Sequence, residues 1–290
     1  MRPNAVELTA AQAWLLAERS GAGSFPWVLA ITQPYTDVGA RRAFDAEQTE
    51  ELTRIGVVST DGVLNHAVEQ WIRLICRPRR WLELRWVSAG GDLLRGLVAR
   101  DGDHTVVALR NADRFTCTEL DISHPQGLVP VLTAGLNGRA PARFDELTLP
   151  AHVGAKADER IRKGESLADV MAYLGISASA RPVVEAAFGA GRSYVEVVAG
   201  EHCHGHRVST PVGFSIVDTA VGRVVVRPVE AAHGQWVSIF QPGTDLAVAV
   251  AAQQLTAALP EGPWFPSVSL TRDFEQSSME RKKHVPQYIN

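Results

Sequence analysis

The alternation of hydrophobic and polar positions is most regular late in the chain, within Thr219–Pro260. Val224–Val229 and Trp236–Phe240 alternate β-branched or aromatic residues with small or polar ones, which is typical of half-buried strands. Between these two runs lie turn-forming residues, Ala232-His233-Gly234. Thr244 then precedes an apolar stripe at helical spacing, and this pattern predicts an N-capped helix. We therefore expect an antiparallel hairpin covered by one helix.

The N-terminal half shows the same kinds of pattern. Thr9 and Gln12 form a capping-box sequence at the start of a helix that continues to about Ser20. Phe25–Thr32 is a short, nearly continuous apolar run, which is typical of a buried strand. The pattern then predicts a charged helix, a helix with one buried face, four strands and a covering helix: Gly39–Ile55, the face formed by Val68, Trp71, Ile72, Ile75 and Cys76, then Trp81–Ser88, Leu93–Arg100, Thr105–Arg110, Arg114–Ile122 and Leu128–Leu136.

The order of elements begins again after Pro141 and leads to the hairpin and its helix. The intervening prediction is a strand at Arg143–Leu149, helices at Ala151–Arg162, Ser166–Gly175 and Ser179–Phe188, and strands at Tyr194–Gly200 and Val212–Asp218.

Landmarks in the two halves keep a nearly constant spacing of 117 to 121 residues. This spacing indicates an internal duplication of a strand, helices, four strands, helix unit, and a chance match of alternating strands is the competing interpretation. The landmark pairs are Asp101 and Asp218, Val106 and Val225, Phe115 and Trp236, Pro125 and Pro242, and Leu128 and Leu246.

Two such units would give one continuous sheet or two packed sheets, related by a pseudo-two-fold axis and covered by helices. Because Gly138–Pro141 is only a short join, we expect one compact domain at 1–270, made of halves 6–138 and 141–266. Residues 271–290 are polar and lack periodicity, which predicts a flexible tail.

Composition narrows the class of protein. Of the 290 residues, 46% are hydrophobic and 21% are charged, enough apolar material for a large core. A net charge of −3 gives no basic surface for nucleic acid. The three cysteines are far apart, which favours reduced thiols, and the N-terminal segment lacks the apolar core of a signal peptide. No apolar run approaches the ~20 residues of a membrane span. We therefore expect a cytoplasmic protein without membrane insertion.

One histidine-rich segment, Glu201–His206, is a candidate metal-binding site. On an extended strand, His202, His204 and His206 would project from the same side, as metal-binding imidazoles can. In the first half of the chain, the corresponding position has only a turn, Ala89–Asp92. The segment can therefore also be interpreted as a longer, exposed polar loop. No nucleophile elbow, zinc-protease motif or phosphate loop occurs in the sequence, and we expect no catalytic residue, metal or cofactor. The alternative hypothesis is a metal-binding protein or metalloenzyme that uses His202–His206.

The tryptophans in apolar patterns are predicted to be chiefly core residues. Trp86 stands on what we interpret as an edge strand, and we therefore also consider it as an interface anchor. The predicted core tryptophans are Trp14, Trp27, Trp71, Trp81, Trp86 and Trp236.

Motifs over most of the chain occur in the order seen in one known family. They are T-x-x-G-R-V-x-V at Thr219–Val226, H-G-Q-W at His233–Trp236, P-G-T at Pro242–Thr244, Leu8-Thr9 opening a helix with Trp14, Gly21 and Gly23, the run Phe25–Leu29, and RFDELTLP at Arg143–Pro150. With these motifs the chain resembles, from about Val6 to Pro266, the EspG family of cytosolic chaperones in actinobacterial type VII (ESX) secretion.

The resemblance implies an α+β fold, mainly an antiparallel sheet flanked by helical bundles. It also implies a non-enzymatic function. Members bind the helical tip of the PPE subunit of PE/PPE heterodimers, keep the pair soluble and deliver it to the secretion system. The implied contacts come from the sheet, a loop between two early strands and the C-terminal helical bundle. Further implied partners are components of the secretion machinery and, without substrate, a second copy of the chain.

Carried onto this sequence, the early loop is Ser88–Leu94, whose two glycines permit mobility. Leu93 and Leu94 are apolar residues that a partner would bury, and we expect their replacement by Asp to abolish partner binding without loss of the fold. Around them, charged residues would form a rim that rejects wrong partners. The predicted partner-binding residues are Trp86, Ser88, Gly90, Gly91, Asp92, Leu93, Leu94, Arg95, Glu201, His204 and Arg207.

Overall fold

The computed structural model describes residues 4–150, 159–160, 162–189, 191–231 and 234–270. Eleven strands of these residues form one sheet in which every pairing between neighbouring strands is antiparallel. The strands are β1 (Ala5–Thr9), β2 (Arg80–Val87), β3 (Leu93–Asp101), β4 (His104–Asn111), β5 (Arg114–Leu120), β6 (Leu147–Pro150), β7 (Ser193–Cys203), β8 (His206–Ser209), β9 (Phe214–Thr219), β10 (Gly222–Glu230) and β11 (Trp236–Pro242).

Helices pack on both faces of this sheet. Within the described residues, no helix is long and apolar enough to cross a membrane. The α-helices are α1 (Ala10–Arg19), α2 (Arg41–Arg54), α3 (His66–Cys76), α4 (Val129–Thr133), α5 (Leu167–Tyr173), α6 (Arg181–Phe188) and α7 (Asp245–Ala257), and short 3-10 helices lie at Trp27–Leu29, Val38–Ala40 and Pro125–Leu128.

The order of strands across the sheet is β1-β5-β4-β3-β2-β7-β9-β10-β11-β6, with β8 paired to β7. In each half, the first strand pairs with the last one: β1 pairs with β5, and β6 pairs with β11. The remaining strands of each half lie side by side in chain order. Strands β2 and β7 therefore meet in the middle, where their register runs from Arg80 opposite Glu201 to Val87 opposite Tyr194. This pairing makes one continuous sheet out of the two halves.

The two faces of the sheet carry different helices. On β2, Trp81 packs in one hydrophobic cluster with α1 and α3, whereas Trp86 packs in another with α4 and α7. Side chains of a strand alternate between faces, so these clusters lie on opposite sides. On β10, Val225 joins the cluster of Trp86, and Val224 packs against Val183 of α6. Helices α1, α3 and α6 therefore lie on one face, and α4 and α7 on the other.

In the middle of the first face, between the N-terminal helices and α6, four side chains of β2 and β7 form what we call the open strip. It consists of Glu83, Arg85, Glu196 and Val198. Glu83 and Arg85 lie on the same face as Trp81 because they follow it on β2 at intervals of two residues. Val198 and Glu196 are their register partners on β7 and share that face. Arg85 and Glu196 are exposed, and Glu83 and Val198 are half-buried. The centre of this face is thus open to solvent.

The predicted helix starts are confirmed. At α1, the Thr9 amide donates to Gln12 Oε1 at 2.9 Å, and the Gln12 amide donates to Thr9 Oγ1 at 3.1 Å. Ser166 and Thr244 cap α5 and α7 in the same way, each accepting a backbone N–H at 3.1 Å. These bonds satisfy amides that the first turn of a helix leaves unpaired, so short local motifs were enough to predict them.

The prediction of a buried strand at Phe25–Thr32 is wrong. The segment forms a 3-10 helix at Trp27–Leu29 and extended or irregular backbone around it. Its large apolar side chains are buried except Trp27, which is 84% exposed. Pro26 has no N–H to give to a sheet, and Ala30 closes the turn with a left-handed φ of +50°. The run is apolar because it packs on the face of the sheet, and it forms no strand of that sheet.

Other elements differ in extent from the prediction. Strand β1 was not predicted, the strand expected at Arg143–Leu149 is only β6, and the covering helix expected at Leu128–Leu136 is a 3-10 turn followed by the short α4. Most of the helix predicted at Ala151–Arg162, and the whole tail 271–290, lie outside the described residues. The four-strand meander β2–β5 is confirmed.

Two buried tryptophans of β2 rest on glycines. Trp81 lies over Gly200, its register partner on β7, where an added Cβ would overlap the indole ring. On the opposite face, Trp86 lies over Gly96 and Gly135, where an added Cβ would come within 2.6 Å of the ring. Contacts that close are essentially excluded, so these positions accept only glycine without a shift of the indole.

We expect Gly200→Ala to destabilise the protein, because the new methyl group forces the buried Trp81 ring out of its place. Overpacking of this kind costs about 1–3 kcal/mol. For a chain of this size, each kcal/mol lowers Tm by about 2–4 °C. Thermal unfolding followed by near-UV circular dichroism measures the shift. Gly90→Ala is the matched control, since its nearest neighbours would be 3.5 Å away at the ends of flexible side chains; an equal Tm for both variants would contradict the packing argument.

The cysteines are expected to differ in reactivity. Burial raises the pKa of the Cys76 thiol to about 12, and burial also raises that of Cys117 well above its usual value. Since the thiolate is the reactive form, both should resist iodoacetamide at pH 8. Cys203 lies in the β7–β8 hairpin and should react. Intact mass should show one adduct on the native protein, none on Cys203→Ser, and three on the wild type in denaturant.

Candidate partner-binding surface

The loop between β2 and β3 is exposed but internally hydrogen-bonded. The Ser88 amide donates to Asp92 O at 2.9 Å, and the Asp92 amide donates to Ser88 Oγ at 3.0 Å. Ser88 Oγ in turn donates to the Asp92 carboxylate at 3.0 Å. Gly91 adopts a φ of +88°, which residues other than glycine rarely accept. The predicted loop is thus a defined turn, with its glycines serving turn geometry.

The two leucines after this turn have different environments. Leu93 is 37% exposed and lies opposite Val87, on the face of the open strip. Leu94 lies opposite Trp86 and packs against the hydrophobic cluster of the other face. The expectation that both leucines can become Asp without loss of the fold therefore needs correction, because a carboxylate at position 94 would lie against apolar side chains. Leu93 alone is a surface position.

The sequence suggested that Trp86 lies on an edge strand, and this interpretation is wrong. Strand β2 pairs with β3 on one side and β7 on the other, and Trp86 is 1% exposed. Its indole Nε1 donates to the Leu132 carbonyl at 2.9 Å. The side chain is a core element with a satisfied polar atom, so it is not available to a partner in this structure.

Glu201 is also buried, where the sequence predicted an exposed loop. It is 0% exposed, lies 3.4 Å from Arg80 Nε and accepts the Glu261 amide at 2.8 Å. Arg80 also donates to the Gly262 and Pro263 carbonyls. The carboxylate therefore joins the start of β2, the end of β7 and the segment after α7, and its contacts are internal.

Arg207 remains a surface residue with two neighbours. Its Nη2 lies 2.5 Å from Glu83 Oε1 of the open strip, and its guanidinium carbon lies 4.8 Å from the centroid of the Trp81 ring. His204 is at the turn of the β7–β8 hairpin with a φ of +50°. Arg207 and His204 are thus exposed, as a rim would require, whereas Glu201 is not.

The three histidines do not share one side of a strand. The chain turns at His204, so that His206 lies opposite Cys203 and His202 lies opposite Arg207. His202 Nδ1 is 2.8 Å from the Pro78 carbonyl, and its ring packs 5.1 Å from that of Trp81. In the part of the chain that the structure describes, no group of three or more His, Cys, Asp or Glu residues could hold a metal ion.

The two sets of predicted site residues lie at opposite ends of the central strands. The loop Ser88–Asp92 follows the end of β2 that pairs with Tyr194, and Arg207 lies at the end that pairs with Glu201. Seven residues of strand separate these ends, or about 23 Å at a rise of ~3.3 Å per residue. The open strip connects these ends, so the exposed residues among those predicted lie at the two ends of one elongated surface.

Sequence reasoning missed the floor of this surface. Glu83, Arg85 and Glu196 are charged residues on strands that are central in the sheet, and their alternation with buried residues was the available signal. Arg85 lies opposite Arg95 on one side and Glu196 on the other. Only the order of strands shows that these charges meet at the centre.

Arg85, Arg95 and Arg110 lie side by side on β2, β3 and β4, and the last two lie under the 3-10 helix. Arg95 Nη1 donates to the Val28 carbonyl at 3.4 Å, and Arg110, its register partner, donates to the Leu29 carbonyl at 2.9 Å and to the Ala30 carbonyl. Burial, and then the charge of Arg95, lower the pKa of Arg110. Both guanidiniums hold backbone carbonyls and thereby fix the 3-10 turn to the sheet.

Comparisons with known proteins agree on one family. The model of the EspG family matches residues 9–254. The chain is 57% identical over 287 residues to ESX-3 secretion-associated protein EspG3 of Mycolicibacterium smegmatis, covering 99% of this chain and 98% of that protein. It is 56% identical over 290 residues to the protein of the same name from Mycobacterium tuberculosis, covering 95% and 98%.

A solved structure shares the fold. It is that of the Mycobacterium tuberculosis type VII secretion system chaperone EspG5 in complex with the PE25-PPE41 dimer, and the match has a TM-score of 0.74 at 19% identity. The alignment covers 90% of this chain and 99% of that chain. The resemblance found in the sequence motifs is confirmed, and the chain belongs to the EspG family.

Proposed function

We propose that this chain is a cytosolic chaperone that binds the tip of the PPE subunit of cognate PE/PPE heterodimers, keeps them soluble and delivers them to a type VII secretion system. Family membership supports this function, as do the name of the EspG3 relatives and the complex of EspG5 with the PE25-PPE41 dimer. The observation that carries the proposal to this chain is the open strip, which leaves the centre of an otherwise helix-covered sheet face exposed.

The strip has the composition of a protein-binding surface. Exposed charges of both signs, Arg85 and Glu196, lie beside the half-buried apolar Val198. A helical tip laid along the strip would cover Val198, and charge pairs with Arg85 and Glu196 would orient it. Because Arg85 and Glu196 have opposite charges, the wrong arrangement of charges on a partner would be repelled.

Both ends of the strip offer further contacts. At one end, Leu93 follows a turn held by Ser88 and Asp92; at the other, Arg207 is held by Glu83. Ordered side chains lose little conformational freedom on binding, which favours affinity. The proposal assigns the chain no catalytic step, in keeping with a family of secretion chaperones.

We also propose that the two halves are copies of one unit within a single compact domain. The strand order β1-β5-β4-β3-β2 of the first half has its counterpart in β6-β11-β10-β9-β7 of the second, which supports a duplication. The landmark pair Leu128 and Leu246 fits less well, since Leu128 is buried and Leu246 is 50% exposed. Binding to components of the secretion machinery, and dimerisation without substrate, stay predictions.

The strip is tested by Arg85→Glu. The substitution places a carboxylate opposite Glu196, and it should weaken binding of a co-expressed cognate PE/PPE pair by ~10-fold or more, since it reverses a charge at the centre of the proposed interface. Arg114→Glu is the matched control, because Arg114 is also exposed to solvent and lies on β5, three strands away. Isothermal titration at two salt concentrations gives the affinities. Equal affinity for Arg85→Glu and the wild type would remove the strip from the interface.

The turn is tested by Leu93→Asp, which should reduce co-purification of the PE/PPE pair while leaving Tm within a few degrees of the wild type. The reason is that position 93 is exposed in the free protein and apolar, so a charge there costs little until a partner covers it. Leu246→Asp, on the opposite face, serves as the control. A pair that still co-elutes in full with Leu93→Asp on size exclusion would place the turn outside the contact.

A further inference from the structure

The indole of Trp27 is the most exposed large hydrophobic side chain of the described residues, at 84%. Exposed tryptophans are uncommon, and at interfaces tryptophan is the residue type most enriched among those that dominate binding energy. The sequence predicted Trp27 to be core, and its immediate neighbours Val28 and Leu29 are buried as expected. The turn thus buries its other apolar side chains and leaves this one outside.

The position of Trp27 is fixed by the sheet beneath it. Arg95 and Arg110 hold the carbonyls of Val28, Leu29 and Ala30, which follow it in the same turn. Charge-assisted bonds to consecutive carbonyls keep the backbone in one arrangement. An anchor that is already in place at the surface loses little freedom when a partner covers it.

Beside Trp27 lies a hollow of about 230 Å³. Apolar side chains form one part of its walls, and polar side chains form the rest. The apolar ones include Phe25, Pro26, Trp27, Pro78 and Trp81, and the polar ones are Ser24, His202 and Arg207. The cation at its edge, Arg207, is paired with Glu83. Arg207 therefore offers no unpaired charge to an anion, and the aromatic and proline side chains of the hollow suit a neutral apolar side chain.

The hollow is continuous with the open strip. Glu83 belongs to the strip and binds Arg207 of the hollow, and Trp81 of the hollow precedes Glu83 by two residues on the same face of β2. A helical tip lying on the strip would reach the hollow at its Arg207 end. One apolar side chain of that tip would then enter between Trp27 and the β7–β8 hairpin.

We propose that Trp27 is an anchor for the partner and that the hollow beside it receives one large apolar side chain, of the size of Leu, Met or Phe, from the tip of the PPE subunit. This inference rests on the proposed chaperone function. It adds a contact from the N-terminal half of the chain, and the contact involves neither the β2–β3 turn nor the C-terminal helices.

The experiment measures the affinity of a co-expressed cognate PE/PPE pair for the wild type, Trp27→Ala, Trp27→Phe and Leu246→Ala by isothermal titration. Trp27→Ala should raise Kd by ~10-fold or more, as expected for truncation of a large aromatic anchor. Trp27→Phe should keep most of the affinity, since it restores an aromatic wall. Leu246→Ala should match the wild type, since it shortens an exposed apolar side chain of α7, and α7 lies on the face opposite the strip, whereas the C-terminal helix α6 lies on the strip's face.

A second measurement does not depend on the stability of the alanine variant. A photo-reactive benzoylphenylalanine at position 27 should crosslink to the PPE subunit, and the crosslinked peptide should contain an apolar residue of its helical tip. Crosslinks confined to the PE subunit, or none in a complex that does form, would overturn the inference.

The outcomes separate the two proposals. If the wild type binds no cognate PE/PPE pair, the chaperone function is wrong, and this inference fails with it. If the wild type binds and Trp27→Ala binds with a Kd within ~2-fold of it, the chaperone function stands and the role of Trp27 is wrong.

Discussion

The packing of two tryptophans on the central strand is the constraint on which the rest of the fold depends. Trp81 and Trp86 point to opposite faces of β2, and each lies on backbone that carries no Cβ, at Gly200 and at Gly96 with Gly135. The Trp81 ring packs in the cluster of the N-terminal helices, and the Trp86 ring packs in the cluster of α4 and α7. Because close-packed interiors tolerate neither overlap nor voids, these contacts fix how both layers sit on the sheet.

Buried charges then hold the two halves and the connecting segments in register. Glu201 and Arg80 pair at the junction of β2 and β7, and Glu201 also accepts an amide from the segment after α7. In the second half, Arg223 Nε lies 2.7 Å from Asp218 Oδ1, and the other carboxylate oxygen of Asp218 accepts the Arg139 amide from the short join between the halves. Pairs of this kind add little net stability, but leaving either charge unpaired is costly, so they specify one arrangement.

A continuous sheet with helices at both ends of one face has a consequence for function. The pairing of β2 with β7 produces the long central surface, and the helices leave its middle uncovered. The surface combines exposed charges with an ordered turn at one end and an exposed aromatic residue beside the other. Such a surface suits recognition of another protein, where large apolar anchors supply affinity and charges supply selectivity.

The sequence by itself determined the local features of this protein: the helix caps at Thr9, Ser166 and Thr244, the four-strand meander, the α+β class and, through its motifs, the family. These depend on side chains within a few residues of one another or on alternation along one strand. Only the tertiary structure decided that Trp86 is interior, that Glu201 is buried in an ion pair and that Trp27 is exposed. Each of those environments is created by residues more than 45 positions away in the chain, such as Leu132 for Trp86, Arg80 for Glu201 and Arg95 for the turn that carries Trp27. Alternation shows that a side chain is apolar, but what covers it depends on which strands become neighbours.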